Sequence, residues 1–174
     1  MIHVYHGDGK GKTTAAMGLA LRAVGRGWPV AVCQFLKDGT SGEVRMLASM
    51  PGVTVLHVTP PARFTASMTD EERAATRAEQ DDNLRRVVGL VRAGEARLVV
   101  LDELAAALRA GLVDEGLVRE ALSLASGEQD GPELVVTGRR PPEFVKEAAD
   151  YITEMRCERH PFEEGVTARE GVEY

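Results

Sequence analysis

Eight residues near the N-terminus, Gly7-Asp8-Gly9-Lys10-Gly11-Lys12-Thr13-Thr14, constrain this chain more than any other part of it. They follow a short apolar run, Ile2–His6, and precede a segment of helical periodicity. Closely spaced glycines let backbone N–H groups turn inward, and a helix N-terminus adds the positive end of its dipole. A loop of this kind between strand and helix is a cradle for phosphate oxygens. Lys12 neutralises phosphate charge there, and the Thr13 hydroxyl is placed to ligate Mg²⁺. The spacing is unusual. Five residues commonly separate the first glycine from the lysine, and the residue at that standard position here is His6.

Short β-branched runs alternate along the chain with longer helical patterns, the signature of a parallel α/β sheet. The predicted strands are Ile2–His6, Pro29–Leu36, Val53–Thr59, Leu98–Leu101, Glu133–Thr137 and Tyr151–Met155. Val-Ala-Val-Cys and Leu-Val-Val-Leu are apolar without alternation, as in strands covered on both faces. The first helix is predicted from Lys12 or Thr13 to near Arg26, with Gly27 as a left-handed C-cap. The longest begins at the capping box Thr69-Asp70-Glu71-Glu72 and runs to about Ala93, burying Leu84, Val87, Val88 and Val91. Others follow Asp102, Asp114 and Pro142. No repeat or linker divides the chain, which reads as one domain.

The 174 residues are 44% hydrophobic, enough for one core, and the formal net charge of −6 argues against a general nucleic-acid binder. The N-terminus lacks the basic and long apolar regions of a signal peptide, and no apolar run approaches the roughly 18 residues of a membrane span. Cys33 and Cys157 lie far apart and read as reduced thiols, so the expected compartment is the cytoplasm.

A second landmark is Leu98-Val99-Val100-Leu101-Asp102-Glu103, an apolar strand ending in two carboxylates. That arrangement holds Mg²⁺ opposite a phosphate loop, although Asp102 also suits a helix N-cap. Thr137-Gly138-Arg139-Arg140 ends the next strand, either as a surface turn or with an arginine reaching a polyphosphate. His3 and His57 read as structural, and Trp28 as packing at a helix end. His6 flanks the loop. Residues alone do not say which atom of a nucleotide is attacked, because phosphate-loop proteins include kinases, hydrolases, switches and motors.

Over nearly its whole length the chain resembles the P-loop type of corrinoid adenosyltransferase. The shortened loop Gly7–Thr14 with Ala15-Ala16 is followed in order by Arg22-Ala23-Val24-Gly25-Arg26-Gly27, Val32-Cys33-Gln34-Phe35-Leu36-Lys37 and Gly42-Glu43. Then come Val99-Val100-Leu101-Asp102-Glu103 and Val136-Thr137-Gly138-Arg139. The tail is the most specific match: Ala149-Asp150-Tyr151-Ile152-Thr153-Glu154-Met155, His160-Pro161-Phe162, Gly165-Val166 and Gly171-Val172-Glu173-Tyr174. The resemblance implies a P-loop NTPase-like (RecA-like) three-layer fold with a mainly parallel sheet of about six strands. It also implies transfer of the 5′-deoxyadenosyl group of ATP to the Co(I) of a corrinoid, with ATP bound in reverse relative to other P-loop proteins.

On this match the nucleotide contacts are Gly7, Asp8, Gly9, Lys10, Gly11, Lys12, Thr13, Thr14, Arg22, Gln34, Lys37 and Arg139. Catalytic roles fall to Lys12, Arg139 and Phe64, and Mg²⁺ ligation to Thr13, Glu103 and Asp102. The irregular stretch Pro60–Met68 departs from the pattern. Relatives place a phenylalanine and, two residues later, a tryptophan beneath the corrinoid. Here Phe64 matches but Ala66 takes the second position. Some relatives also carry an N-terminal segment over the active site, whereas this chain begins at the first strand, so a lid is expected from elsewhere, for example a neighbouring subunit. A homodimer, a flavin-dependent reductase and no nucleic-acid or membrane partner complete the expectation. Two rivals stay open: a phosphoryl-transferring kinase, and a non-catalytic corrinoid carrier switched by ATP.

Overall fold

Apolar runs and amphipathic segments resolve into a six-stranded sheet flanked by helices, seen in a computed structural model that describes residues 1–59, 65–126 and 131–172. In chain order the elements are β1 (Ile2–His6), α1 (Lys12–Val24), β2 (Val30–Gln34), α2 (Gly42–Ala48), β3 (Val53–Leu56) and α3 (Asp70–Arg92). They continue with β4 (Leu98–Asp102), α4 (Leu104–Arg109), α5 (Glu115–Ser123), β5 (Glu133–Thr137), α6 (Glu143–Glu147) and β6 (Tyr151–Glu154). The strand order is β3-β2-β4-β5-β1-β6, and every neighbouring pair is parallel. All strand C-termini therefore open onto one edge, where α/β proteins bind ligands.

The three layers follow from the period-two alternation of side chains along each strand. On one face Val4, Ala31, Cys33, Val99, Leu101 and Val136 pack against Leu84 and Val87 of α3, Leu104 of α4, Val118 of α5 and Val145 of α6. On the other, Val30, Val32, Leu98, Val100 and Val135 meet α1 and α2. Helix α1 presents Ala16, Ala20 and Ala23 there, small side chains that let it lie close to the sheet. Cys33 is buried in this core, and burial pushes its thiol up to about 12, so it stays protonated and inert.

Several predicted boundaries shift. The strands of β2, β3 and β6 are shorter at their ends than the apolar pattern suggested, and β4 runs through Asp102. Helix α1 stops at Val24 rather than near Arg26. Gly25 caps it in a right-handed conformation, and left-handed Gly27 closes the turn by donating its N–H to the Val24 carbonyl at 2.8 Å. Val91 is only partly buried. Helix α2 was not predicted: at seven residues it is too short to show a period, though Val44 and Leu47 give it a buried side.

The start of α3 matches its sequence signal in full. Thr69 Oγ1 accepts the Glu72 N–H at 3.2 Å, and Glu72 Oε2 accepts the Thr69 N–H at 2.8 Å. This reciprocal pair satisfies two N–H groups that the helix start otherwise leaves unpaired. Thr69→Ala is expected to cost about 1 kcal/mol. That corresponds to a fall of about 2–4 °C in Tm by calorimetry or circular dichroism.

Candidate active site

The glycine loop leaves β1 and turns back into α1, and the segment following β6 forms its rear wall. Gly9 donates its N–H to the Met155 carbonyl at 2.8 Å, and Asp8 Oδ1 accepts the Cys157 N–H at 3.2 Å. Gly7 sits at φ 103°, and a Cβ there would overlap the Met155 carbonyl; one at Gly9 would press into the Arg156 backbone. Only glycine lets the two backbones come this close. That Cys157 N–H, with smaller help from Arg139 and Lys12, holds the Asp8 carboxyl below its usual range. The Lys12 ammonium folds onto the Gly9 carbonyl, and burial, then the Arg139 charge, lowers its pKa. A polyanion would relieve both effects by supplying opposite charge.

Beside the loop lies Asp102, fully buried at the end of β4. Its Oδ1 accepts from Thr13 Oγ1 at 2.8 Å and from Thr137 Oγ1 at 2.7 Å. Its Oδ2 accepts from Lys37 Nζ at 2.7 Å and Gln34 Nε2 at 3.0 Å. Burial opposes the charge, but the Lys37 ammonium and these donors outweigh it and hold the carboxyl below its ordinary value. Asp102 is thus no helix cap. The residue before α4 is Glu103, in a left-handed conformation at φ 62° with its N–H donated to Thr137 Oγ1 at 2.9 Å. Leu36 (φ 58°) and Arg140 (φ 51°) share that strained conformation. All three lie just beyond the ends of β2, β4 and β5, where strain marks functional edges.

A cleft of about 1070 Å³ opens beside these groups. Its lining is mixed: Lys10, Lys12, Thr13, Thr14, Gln34, Lys37, Asp38, Ser41 and Glu43 are polar, and Met17, Leu21, Leu36, Met46, Leu47, Met50 and Val172 are apolar. It is as large as the biggest common ligand pockets, which reach about 1,000 Å³. Of the other predicted nucleotide contacts, Arg139 is exposed beside Lys12 and Asp8, acting on both electrostatically. Arg22 stands apart in the last turn of α1, ten positions and therefore about 15 Å along the helix from Lys12. It is not among the cleft's lining residues. Phe64 lies outside the described residues, as do the side chain of Ala66 and the tail residues Glu173 and Tyr174.

With this geometry in view, comparison with known proteins is decisive. The profile of the family described as "ATP:corrinoid adenosyltransferase BtuR/CobO/CobP" matches residues 1–174. The chain belongs to that family. It is 36% identical to a corrinoid adenosyltransferase of Pseudomonas aeruginosa, over 98% of this chain and 82% of that protein. A corrinoid adenosyltransferase from Sinorhizobium is 34% identical over the whole chain and 80% of its own length. For the corrinoid adenosyltransferase CobA of Salmonella typhimurium the identity is 32%, over the whole chain and 85% of that protein.

As a family member, the chain carries polar residues that suit a divalent cation bound together with phosphate. No group of three or more His, Cys, Asp and Glu side chains gathers among the described residues, so a cation here needs ligand oxygens as well, which is how Mg²⁺ usually binds. Thr13 donates its proton to Asp102, leaving its lone pairs for a cation, with Lys37 only loosely engaged at 3.4 Å. Both Asp102 oxygens are taken by protein donors, one of them the Thr13 hydroxyl. Gln34 Oε1 is a buried acceptor with no partner among the described residues, which fits a ligand that brings a hydroxyl or water.

The depressed Asp102 pKa sets the sign of its pH dependence. Its charge stabilises the fold above the ordinary carboxylate range, and that contribution fades as pH falls through the lowered folded value. Asp102→Ala is expected to cost about 3 kcal/mol at neutral pH by urea unfolding, the low end for a broken buried pair because Lys37 reaches solvent. The gap to wild type should shrink as pH falls below about 4.

Proposed function

We propose that this protein transfers the 5′-deoxyadenosyl group of ATP to the cobalt of a reduced corrinoid, in the making or salvage of adenosylcobalamin. The observation that carries this reading, beside family membership, is the large cleft of mixed lining beside the glycine loop. Its lysines and loop residues suit a triphosphate, while its methionine and leucine side chains give contact area to a large second substrate. A kinase acting on a small polar substrate would have little use for so large and partly apolar a cleft.

In the reaction, Co(I) attacks C5′ of the ribose with its own electron pair. The Co–C bond forms, the C5′–O bond breaks, and triphosphate leaves with the bonding electrons. Co(I) has no proton to lose, so no general base is required. The protein's work is to orient the two substrates and stabilise a highly anionic leaving group. In this reading the loop N–H groups and Lys12 hold the phosphates, and Arg139 adds a second positive charge from the end of β5. Thr13 and Glu103 would hold Mg²⁺, with Asp102 fixing Thr13, and the ion would supply further charge neutralisation. Lys37 secures Asp102 and lines the same cleft. Phe64 is assigned to the corrinoid by its place in the motif alone. The reading extends to one domain spanning 1–174, working as a cytoplasmic homodimer served by a flavin-dependent reductase.

The test is an anaerobic assay of purified protein with ATP, Mg²⁺ and chemically reduced cob(I)alamin, following Co–C bond formation by absorbance. Lys12→Ala is expected to lower kcat/KM for ATP about 100-fold or more, with the thermal midpoint little changed. Wild-type protein that binds ATP and corrinoid yet forms no Co–C bond would overturn the assignment.

A further inference from the structure

We propose that Gln80, on the inner face of α3, is a positioning residue that sets Lys37 for nucleotide binding through the backbone turn at Leu36. The proposal rests on the reading that the cleft binds Mg²⁺ and ATP.

A long polar side chain fully withdrawn from solvent is unusual, and burying an amide costs stability unless both ends are paired. Both ends are. Gln80 Oε1 accepts the Leu36 N–H at 3.0 Å, and Nε2 donates to the Leu112 carbonyl at 2.6 Å. One partner is an obligate donor and the other an obligate acceptor, so the amide has a single usable orientation. Its target is a strained residue: Leu36 holds φ 58°, which a γ-branched side chain adopts only when its surroundings enforce it.

That turn decides where the next residue points. The Lys37 carbonyl accepts the Val58 N–H at 3.2 Å, so its backbone is gripped on both sides, by α3 before it and by the end of β3 after it. The second grip is backed by the same helix. Asn83 Nδ2, one turn on from Gln80, donates to the His57 carbonyl at 2.9 Å. From this anchored backbone Lys37 Nζ reaches Asp102 Oδ2 at 2.7 Å and Thr13 Oγ1 at 3.4 Å. A lysine has many rotamers, and a fixed Cα removes much of the freedom that would otherwise scatter its ammonium. Gln80 itself is absent from the cleft wall, so its influence passes through Leu36 and Lys37.

The test is a double-mutant cycle between Gln80→Leu and Lys37→Ala, read both as kcat/KM for ATP and as Kd for ATP with Mg²⁺ in the absence of corrinoid. Thermal midpoints are recorded for all four proteins. Gln80→Leu is expected to weaken both quantities about tenfold in the wild-type background and less than twofold in the Lys37→Ala background. An equal loss in both backgrounds, or a loss under twofold in wild type, would overturn the proposal. A residue needed only for folding would lower the midpoint and act alike in both. If Gln80→Leu gives no folded protein, Gln80→Met, which removes the acceptor for the Leu36 N–H while keeping an uncharged side chain of similar length, goes through the same cycle and is judged by the same criterion. The binding readout does not depend on adenosyl transfer. A coupled Kd in a protein that forms no Co–C bond would leave the positioning role standing while overturning the reaction.

Discussion

The site depends on one carboxylate kept charged inside the protein. Asp102 has no contact with water, and its charge persists because four donors from different parts of the chain converge on its two oxygens. They come from the N-terminus of α1, the end of β2, the loop after β2 and the end of β5. Strand register brings one of them level with it: Gln34 lies directly opposite Asp102 across β2 and β4. Such a group is stable only when every donor is present, so the position of the phosphate loop and the alignment of the sheet are set together.

Two further supports act at a distance from the cleft. The segment after β6 backs the glycine loop, with Met155 and Arg156 so close that side chains at Gly7 and Gly9 have no room. Helix α3 clamps the loops that leave β2 and β3, using Gln80 and Asn83. The strained turns at Leu36, Glu103 and Arg140 ring the same edge. A reaction whose nucleophile needs no base asks for rigidly held positive charge and contact area for its second substrate, and these supports supply the rigidity.

Local signals were legible. The phosphate loop, all six strands and the capping box at Thr69 rest on spacing and on residues close in sequence, and each stands where it was predicted to within a few positions. The family resemblance read from the motifs agrees with the comparisons. What escaped depends on distant partners. Residues 76, 80, 81 and 83 make part of the buried face of α3 polar, whereas the sequence pattern marked only its aliphatic stripe. A buried glutamine is intelligible only once Leu36 and Leu112, far away in the chain, are seen beside it. The tail was recognised as a motif, but its place behind the glycine loop has no sequence signal beyond the glycines themselves. Arg22, which the motif also assigned to the nucleotide, lies in the last turn of α1, outside the lining of this cleft, with its charge acting on Tyr5.

The most direct test is to identify the phosphate product of a single anaerobic turnover with cob(I)alamin, ATP and Mg²⁺, by ion exchange. Attack at C5′ requires inorganic triphosphate in equal amount to the new Co–C bond. ADP or monophosphate as the primary product, without adenosylated corrinoid, would mean that the γ-phosphoryl group is the centre attacked, and would contradict the account.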